Sequence, residues 1–313
     1  MFYSSEALLH KNHDAITHFW HQDMTSGFLD TKHGKLFYAY HLPYRADYAL
    51  VISSGRIEAA QKYQELLWEL ARNNIAVFIV DHQGQGRSYR HLTDTHKGYV
   101  GDFEDYKSDL HEFITQVVNP QWPGKKILLG HSMGGAIALD YACTHPEQFA
   151  GLFLSAPMLQ INTGSTAPWL AKLWASSVCT FTKGEGYVPG HGPYAAVPFS
   201  ENELTHSEER YRRFRALYQQ SPELQLGGVT YKWLNAAFKA IAKLRKSLCP
   251  VPLFIAAAQQ DSVVDTSPYQ DFVHAQQQAA LKTYSGARHE LLCEQDSIRK
   301  ALLRDLLNFC EQL

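Results

Sequence analysis

Short apolar runs alternate with amphipathic segments through the first half of the chain. Tyr48–Ile52, Ile75–Asp81, Lys126–Gly130 and Gly151–Ser155 are runs of Val, Ile, Leu, Phe and Ala with almost no polar interruption. Between them, Ala59–Asn73, Tyr106–Val118 and Gly134–Thr144 carry apolar residues at helical spacing. Runs that are apolar throughout, rather than at alternate positions, describe strands covered on both faces. That is the condition of a parallel sheet built from βαβ units. Ahead of them, Phe28–Leu42 holds two β-like runs around Lys32-His33-Gly34-Lys35, which predicts a hairpin.

The rhythm stops near Met158. It resumes near Pro252 with a strand over Leu253–Ala258, a helix around Pro268–Ala279, a strand over Leu281–Tyr284 and a closing helix over Ile298–Gln312. The intervening stretch holds Pro168, Pro189, Pro193 and Pro198 and then helical patterns over Glu208–Tyr218 and Tyr231–Arg245. Because the sheet pattern continues on both sides, the reading is a core made of residues 1–157 and 248–313 interrupted by a helical cap, residues 158–247. A separate helical domain is the alternative. The length of 313 residues suits either.

The strand Lys126–Gly130 runs directly into Gly130-His131-Ser132-Met133-Gly134, and a small-residue segment follows with Gly135, Ala136 and Ala138. This is a GxSxG pattern between a strand and a helix. In that setting the sharp turn lifts a serine above the sheet edge, and the glycines let strand and helix approach closely. Ser132 is therefore the candidate nucleophile.

A serine nucleophile needs a general base, and the base needs an orienting carboxylate, in the chain order Ser, acid, His. Sixteen histidines make any one of them uninformative, so position must select. His289 follows the last strand, at the carboxyl end where open α/β sheets place their chemistry. His274 falls inside a helical pattern. Asp261 follows the Leu253–Ala258 run, whereas its rival Asp265 precedes Thr266-Ser267-Pro268 and reads as a helix-start residue. The tetrahedral intermediate also needs two donors. The backbone N–H of Met133 is one candidate. Arg56, in the Ser53-Ser54-Gly55-Arg56-Ile57-Glu58 loop after the Tyr48–Ile52 strand, is the other.

Two near-motifs point elsewhere and fall short. His289-Glu290-Leu291-Leu292-Cys293 misses the zinc pattern HExxH at its last position, and Gln83-Gly84-Gln85-Gly86-Arg87-Ser88 lacks the third glycine and the immediate helix of a dinucleotide loop. No metal and no organic cofactor is expected.

Taken together, SGRIEAAQKYQELLWEL, VDHQGQGRS, GHSMGGAIA, SAPM, QDSVVD and ARHELLCE resemble the branch of the α/β-hydrolases that contains the bacterial lysophospholipase L-two type and the monoacylglycerol lipases. The resemblance extends into LTHSEERYRR and GGVTYKW and covers nearly the whole chain. It implies an α/β-hydrolase fold with a mostly parallel sheet, a Ser132–Asp261–His289 triad and oxyanion donors at Arg56 and Met133. Monoacylglycerol lipases usually carry His-Gly in the first oxyanion loop. Ser54-Gly55 followed by Arg-Ile-Glu stands here, which is the lysophospholipase form. The expected activity is hydrolysis of carboxylic esters of single-chain lipids, with a lysophospholipase ahead of a monoacylglycerol lipase or general carboxylesterase. A non-catalytic binding protein on the same scaffold is the reading from another class.

Composition refines this picture without changing it. A net charge of −2 gives no ground for nucleic-acid binding. No apolar run is long enough to span a bilayer. The opening MFYSSEALLHKNHD has no basic segment, apolar stretch and small-residue cleavage site in succession, so no secretory signal is expected. Five scattered cysteines without CxxC read as thiols in a reducing compartment. The expected location is cytoplasmic, with peripheral association to the inner membrane allowed. Residues 158–250 hold eleven Lys and Arg against six Glu and no Asp, interleaved with aromatics from Trp169 to Phe238. Such a surface suits an anionic membrane and an acyl chain. Aromatics packed as cap core beneath a solvated charged face would have the same composition.

Overall fold

The computed structural model describes residues 1–313. Its strands are β1 (Thr25–Asp30), β2 (Lys35–His41), β3 (Ala49–Ser53), β4 (Ala76–Val80), β5 (Lys126–His131), β6 (Gly151–Ser155), β7 (Leu253–Ala258) and β8 (Ala279–Tyr284). They form one sheet in the order β1-β2-β4-β3-β5-β6-β7-β8. The expected hairpin is β1 and β2, closed by Thr31 N–H donating to Gly34 O at 2.9 Å. β2 also meets β4 antiparallel, and every pairing from β4 to β8 is parallel. Each residue of β3, β4 and β6 is buried, as helices on both faces of a parallel sheet require.

Several boundaries moved. The predicted Ala59–Asn73 helix opens as a 3₁₀ turn over Ala60–Tyr63 and becomes α-helical over Gln64–Arg72. The helix predicted from Tyr106 begins at Phe103, because Asp102 and Asp105 form a reciprocal capping box there. It finishes in a π turn over Ile114–Val118. The predicted Pro268–Ala279 helix is only Tyr269–His274, since Ala279 and Ala280 already pair with Leu253 and Phe254 as the start of β8. β8 is an edge strand, and its first residues Ala279 and Ala280 suit a helix at least as well as a strand, so the sequence does not mark where it begins. The short helices Glu6–Leu9 and His13–His18 carry no periodicity long enough to read from sequence.

β6 and β7 are neighbours in the sheet, yet almost a hundred residues separate them in the chain. That segment carries the helices Pro168–Phe181, Glu208–Gln220 and Tyr231–Leu244. Trp233, Ala237, Ile241 and Leu244 join the core of the sheet itself, while Tyr211, Phe214, Tyr218 and Leu224 form a small cluster with Ala59. Backbone pairing also ties the segment to the loop after β4: Gly98 N–H donates to Gly228 O, and Gly227 N–H to His96 O.

The compositional ambiguity of this segment resolves helix by helix. Apart from the partly buried Tyr231, the aromatics of the second and third helices are buried core, among them Tyr211, Tyr218, Trp233 and Phe238. Those of the first are not: Trp169, Trp174 and Phe181 are 69, 50 and 87% exposed, and Leu173 beside them is 57% exposed. Part of the positive surplus faces carboxylates of the core rather than solvent. Arg210 is buried against Glu65 and Asp296 at 2.9 Å each, and Lys243 lies 2.8 Å from Asp140.

Candidate active site

β5 ends at His131, and the Ser132–Thr144 helix begins at the next residue. Ser132 sits at φ +53°, a left-handed conformation that costs a non-glycine residue about 1–3 kcal/mol. The glycines around it answer to space. A Cβ on Gly134 would stand 2.1 Å from Ser53 O and 2.3 Å from Ser54 O, and one on Gly130 would stand 2.7 Å from Gly135 Cα. The strained turn is therefore held by close backbone packing against the end of β3. Ser132 itself is buried.

The three residues selected by chain order meet here. His289 Nε2 is 2.9 Å from Ser132 Oγ, and His289 Nδ1 is 2.8 Å from Asp261 Oδ2. Asp261 Oδ1 accepts from the Val263 and Val264 N–H groups at 2.9 Å each, which fixes the carboxylate plane. With the proton on Nδ1 donated to Asp261, Nε2 is left to accept from the serine hydroxyl. The two rejected candidates lie apart from this chain of bonds. Asp265 accepts from Ser267 N–H and Gln160, in its own turn, and His274 is exposed at the end of a short helix, bonded to Gln270.

The loop after β3 packs beside the nucleophile: a Cβ on Gly55 would stand 2.9 Å from His131 Cδ2. Arg56 N–H donates to no group of the protein. Met133 N–H lies in the first turn of its helix, where no intrahelical acceptor exists. Ile57 follows at φ +64°, an outlier for a β-branched residue. Several side chains hold this loop. Glu58 accepts from Gly55 N–H, Gln85 Nε2 donates to Gly55 O at 2.7 Å, and Tyr218 Oη donates to Ile57 O at 2.7 Å. Gln85 belongs to the Gln83–Ser88 loop, the segment that falls short of a dinucleotide pattern. Glu58, Gln85 and Tyr218 were not selected from sequence, and no local pattern marks them, because each acts on a backbone atom distant in the chain or around a bend.

Beneath the loop lies a buried ionic group. Lys62 Nζ is 2.8 Å from Glu58 Oε1 and 2.6 Å from Glu290 Oε1, with all three side chains under 8% exposed. Burial alone raises the Glu58 carboxyl, but Lys62, His131 and Tyr63 outweigh it and hold the group at about 2. His131, beside Ser132, is pushed down by burial, with Nδ1 on Ser155 O at 3.0 Å. No group of three or more His, Cys, Asp or Glu side chains is arranged to hold a metal ion.

A mostly parallel eight-stranded sheet, a strained serine at the turn after β5 and a Ser–His–Asp chain of hydrogen bonds define an α/β-hydrolase. The chain belongs to the serine aminopeptidase S33 family of hydrolases, whose family model matches residues 44–296. Among curated relatives it is 33% identical over 305 residues to lysophospholipase L2 of Escherichia coli, covering 94% of this chain and 89% of that one. It is 25% identical over 283 residues to the monoglyceride lipase of Rattus norvegicus, covering 87% and 85%. In fold it is similar to a soluble variant of the Saccharomyces cerevisiae monoglyceride lipase solved with a substrate analogue, with a TM-score of 0.73 at 20% identity over 92% of this chain and 96% of that one. A thermostable carboxyl esterase from Bacillus coagulans solved with glycerol gives 0.74 at 17% identity over 93% and 99%.

Proposed function

We propose that the protein is a serine hydrolase of single-chain lipid esters, acting as a lysophospholipase through Ser132, His289 and Asp261. The hydrogen-bonded line from Ser132 Oγ through His289 to Asp261 carries the chemistry. His289 Nε2 takes the Ser132 proton as Oγ attacks the acyl carbonyl. The carbonyl oxygen becomes negative and is received by the Arg56 and Met133 N–H groups. Collapse breaks the bond to the glycerol-type alcohol, which leaves with the proton from His289. Water then repeats the sequence on the acyl-enzyme and releases the fatty acid. Residues 158–247 act as a cap over this site.

Similarity to lysophospholipase L2 across nearly the whole chain supports the substrate class. The monoacylglycerol lipase reading draws on the monoglyceride lipase relatives and the same triad. Hydrolysis of lysophosphatidylcholine and of monoacylglycerol with one acyl chain, measured side by side, separates them. A higher kcat/KM on the lysophospholipid is expected, and turnover of monoacylglycerol alone would overturn the reading. Fluorophosphonate labelling that disappears in Ser132→Ala is expected; an unreactive wild type would leave a binding protein on a hydrolase scaffold.

No helix is long and apolar enough to cross a membrane. The exposed Trp169, Leu173, Trp174 and Phe181, with Lys172 on the same helix and Lys183 just beyond it, suit contact with an anionic bilayer surface. Trp169→Ser with Trp174→Ser should weaken sedimentation with phosphatidylglycerol vesicles; undiminished binding would remove this role.

A further inference from the structure

Arg56 combines two features that its place in the oxyanion loop does not require. Its guanidinium lies between cap and core, mostly buried, and no carboxylate stands within ion-pair distance of it. One donor is used: Nη1 donates to Gly227 O at 2.8 Å. The plane lies 5.7 Å from the centre of the Trp233 ring. Nε and Nη2 have no protein partner, yet neither is sealed from solvent. The most deeply buried cations are compensated, and of the partly buried arginines without an ion pair (Arg56, Arg87, Arg90, Arg215 and Arg288) only Arg56 stands in the loop after β3. Arg210 has Glu65 and Asp296, Arg299 has Glu69, and Lys62 has two glutamates. Desolvation draws the Arg56 guanidinium down to about 10, and nearby Tyr106 opposes this only in part. A partly desolvated cation without an anion is stabilised when an anion arrives.

We propose that the Arg56 side chain binds the phosphodiester of a lysophospholipid whose ester carbonyl is held by the N–H of the same residue. This deepens the lysophospholipase reading and rests on it. The dimensions agree. About six covalent bonds join a backbone nitrogen to the guanidinium carbon, and about six join the acyl carbon to phosphorus in a glycerophospholipid. One residue thus measures the distance between the two groups that distinguish a lysophospholipid from a monoacylglycerol. Guanidinium suits the task, since a planar fork of donors matches two phosphate oxygens.

The test is a ratio. Arg56→Met keeps the backbone N–H and most of the side-chain volume while removing the charge. The quotient of kcat/KM on lysophosphatidylcholine over monoacylglycerol, matched in acyl chain, should fall about tenfold or more, chiefly through KM. Arg56→Lys should recover part of it. Equal losses on both substrates would make Arg56 a packing residue and overturn the proposal. A second measurement needs no variant. Glycerophosphocholine should inhibit monoacylglycerol hydrolysis by the wild type at least tenfold more strongly than glycerol does. Equal inhibition would overturn the proposal, as would inorganic phosphate matching glycerophosphocholine, which would indicate a free-phosphate site. A wild type inactive on every lysophospholipid fails the parent reading instead, and that outcome is visible before any variant is made.

Discussion

Lys62 Nζ lies 2.6 Å from Glu290 Oε1, joining residues 228 positions apart, and Glu290 is the residue after His289. The same ammonium holds Glu58, which accepts from Gly55 N–H in the loop of Arg56. A buried cation thus ties the loop proposed to hold the oxyanion to the loop that carries His289, the proposed base. Removing it by Lys62→Met leaves two buried carboxylates without a counter-charge, which costs about 3–5 kcal/mol. Urea unfolding should show that loss, and kcat should fall more than KM rises. A stable variant with wild-type kinetics would mean that the bridge positions nothing.

The buried carboxylates make stability depend on pH in two opposed windows. Burial raises Glu65, but Arg299 and Arg210 pull it down to about 2, as Lys62 does for Glu58. Stability from both is present above the ordinary value of 4.5 and is lost as pH falls toward 2. Asp81 and Asp109 are pushed up by burial to about 6. Their contribution is present below 3.8 and is lost as pH rises through 6. The urea midpoint should therefore rise from pH 7 toward about 5, level off, and fall steeply below about 3.8. A monotonic decline from pH 7 would contradict the assignment of Asp81 and Asp109.

Asp261 and Asp265 stand four residues apart, and only Asp261 touches His289. Asp261→Asn should lower kcat about a thousandfold or more by favouring the wrong imidazole tautomer. Asp265→Asn should stay within about threefold, since it disturbs bonds to Ser267 and Gln160 and none to His289. Comparable losses in the two variants, measured on one ester, would remove Asp261 from its role.

Gly134→Ala tests the packing of the nucleophile turn. The added methyl would meet the backbone oxygens of Ser53 and Ser54, which cannot rotate away. Destabilisation of about 1–3 kcal/mol is expected, with loss of ester hydrolysis as the Arg56 loop is displaced. Heat denaturation and an ester assay read both effects; normal activity in a stable variant would show that the turn has room.

The sequence by itself determined the sheet and the order of its chemistry. Short, uniformly apolar runs alternating with helical patterns describe strands covered on both faces, and a GxSxG turn after one of them, followed by Asp261 and His289 after two later strands, limits the candidates to three residues. These signals are local: each lies in a strand or in the turn that leaves it. Tertiary structure decided what local signals cannot carry. Ala279 joined a strand because β7 was there to pair with it. The aromatics of residues 158–247 divided into core and surface according to which helix faced the sheet. Glu58, Lys62, Gln85 and Tyr218 gained roles because each reaches a backbone atom or charge brought close only by folding. The proposal of Arg56 as a backbone donor came from its place alone, in the loop after a strand. Its guanidinium became informative only once burial was known, because an arginine without a carboxylate is unremarkable in water and costly in a protein interior.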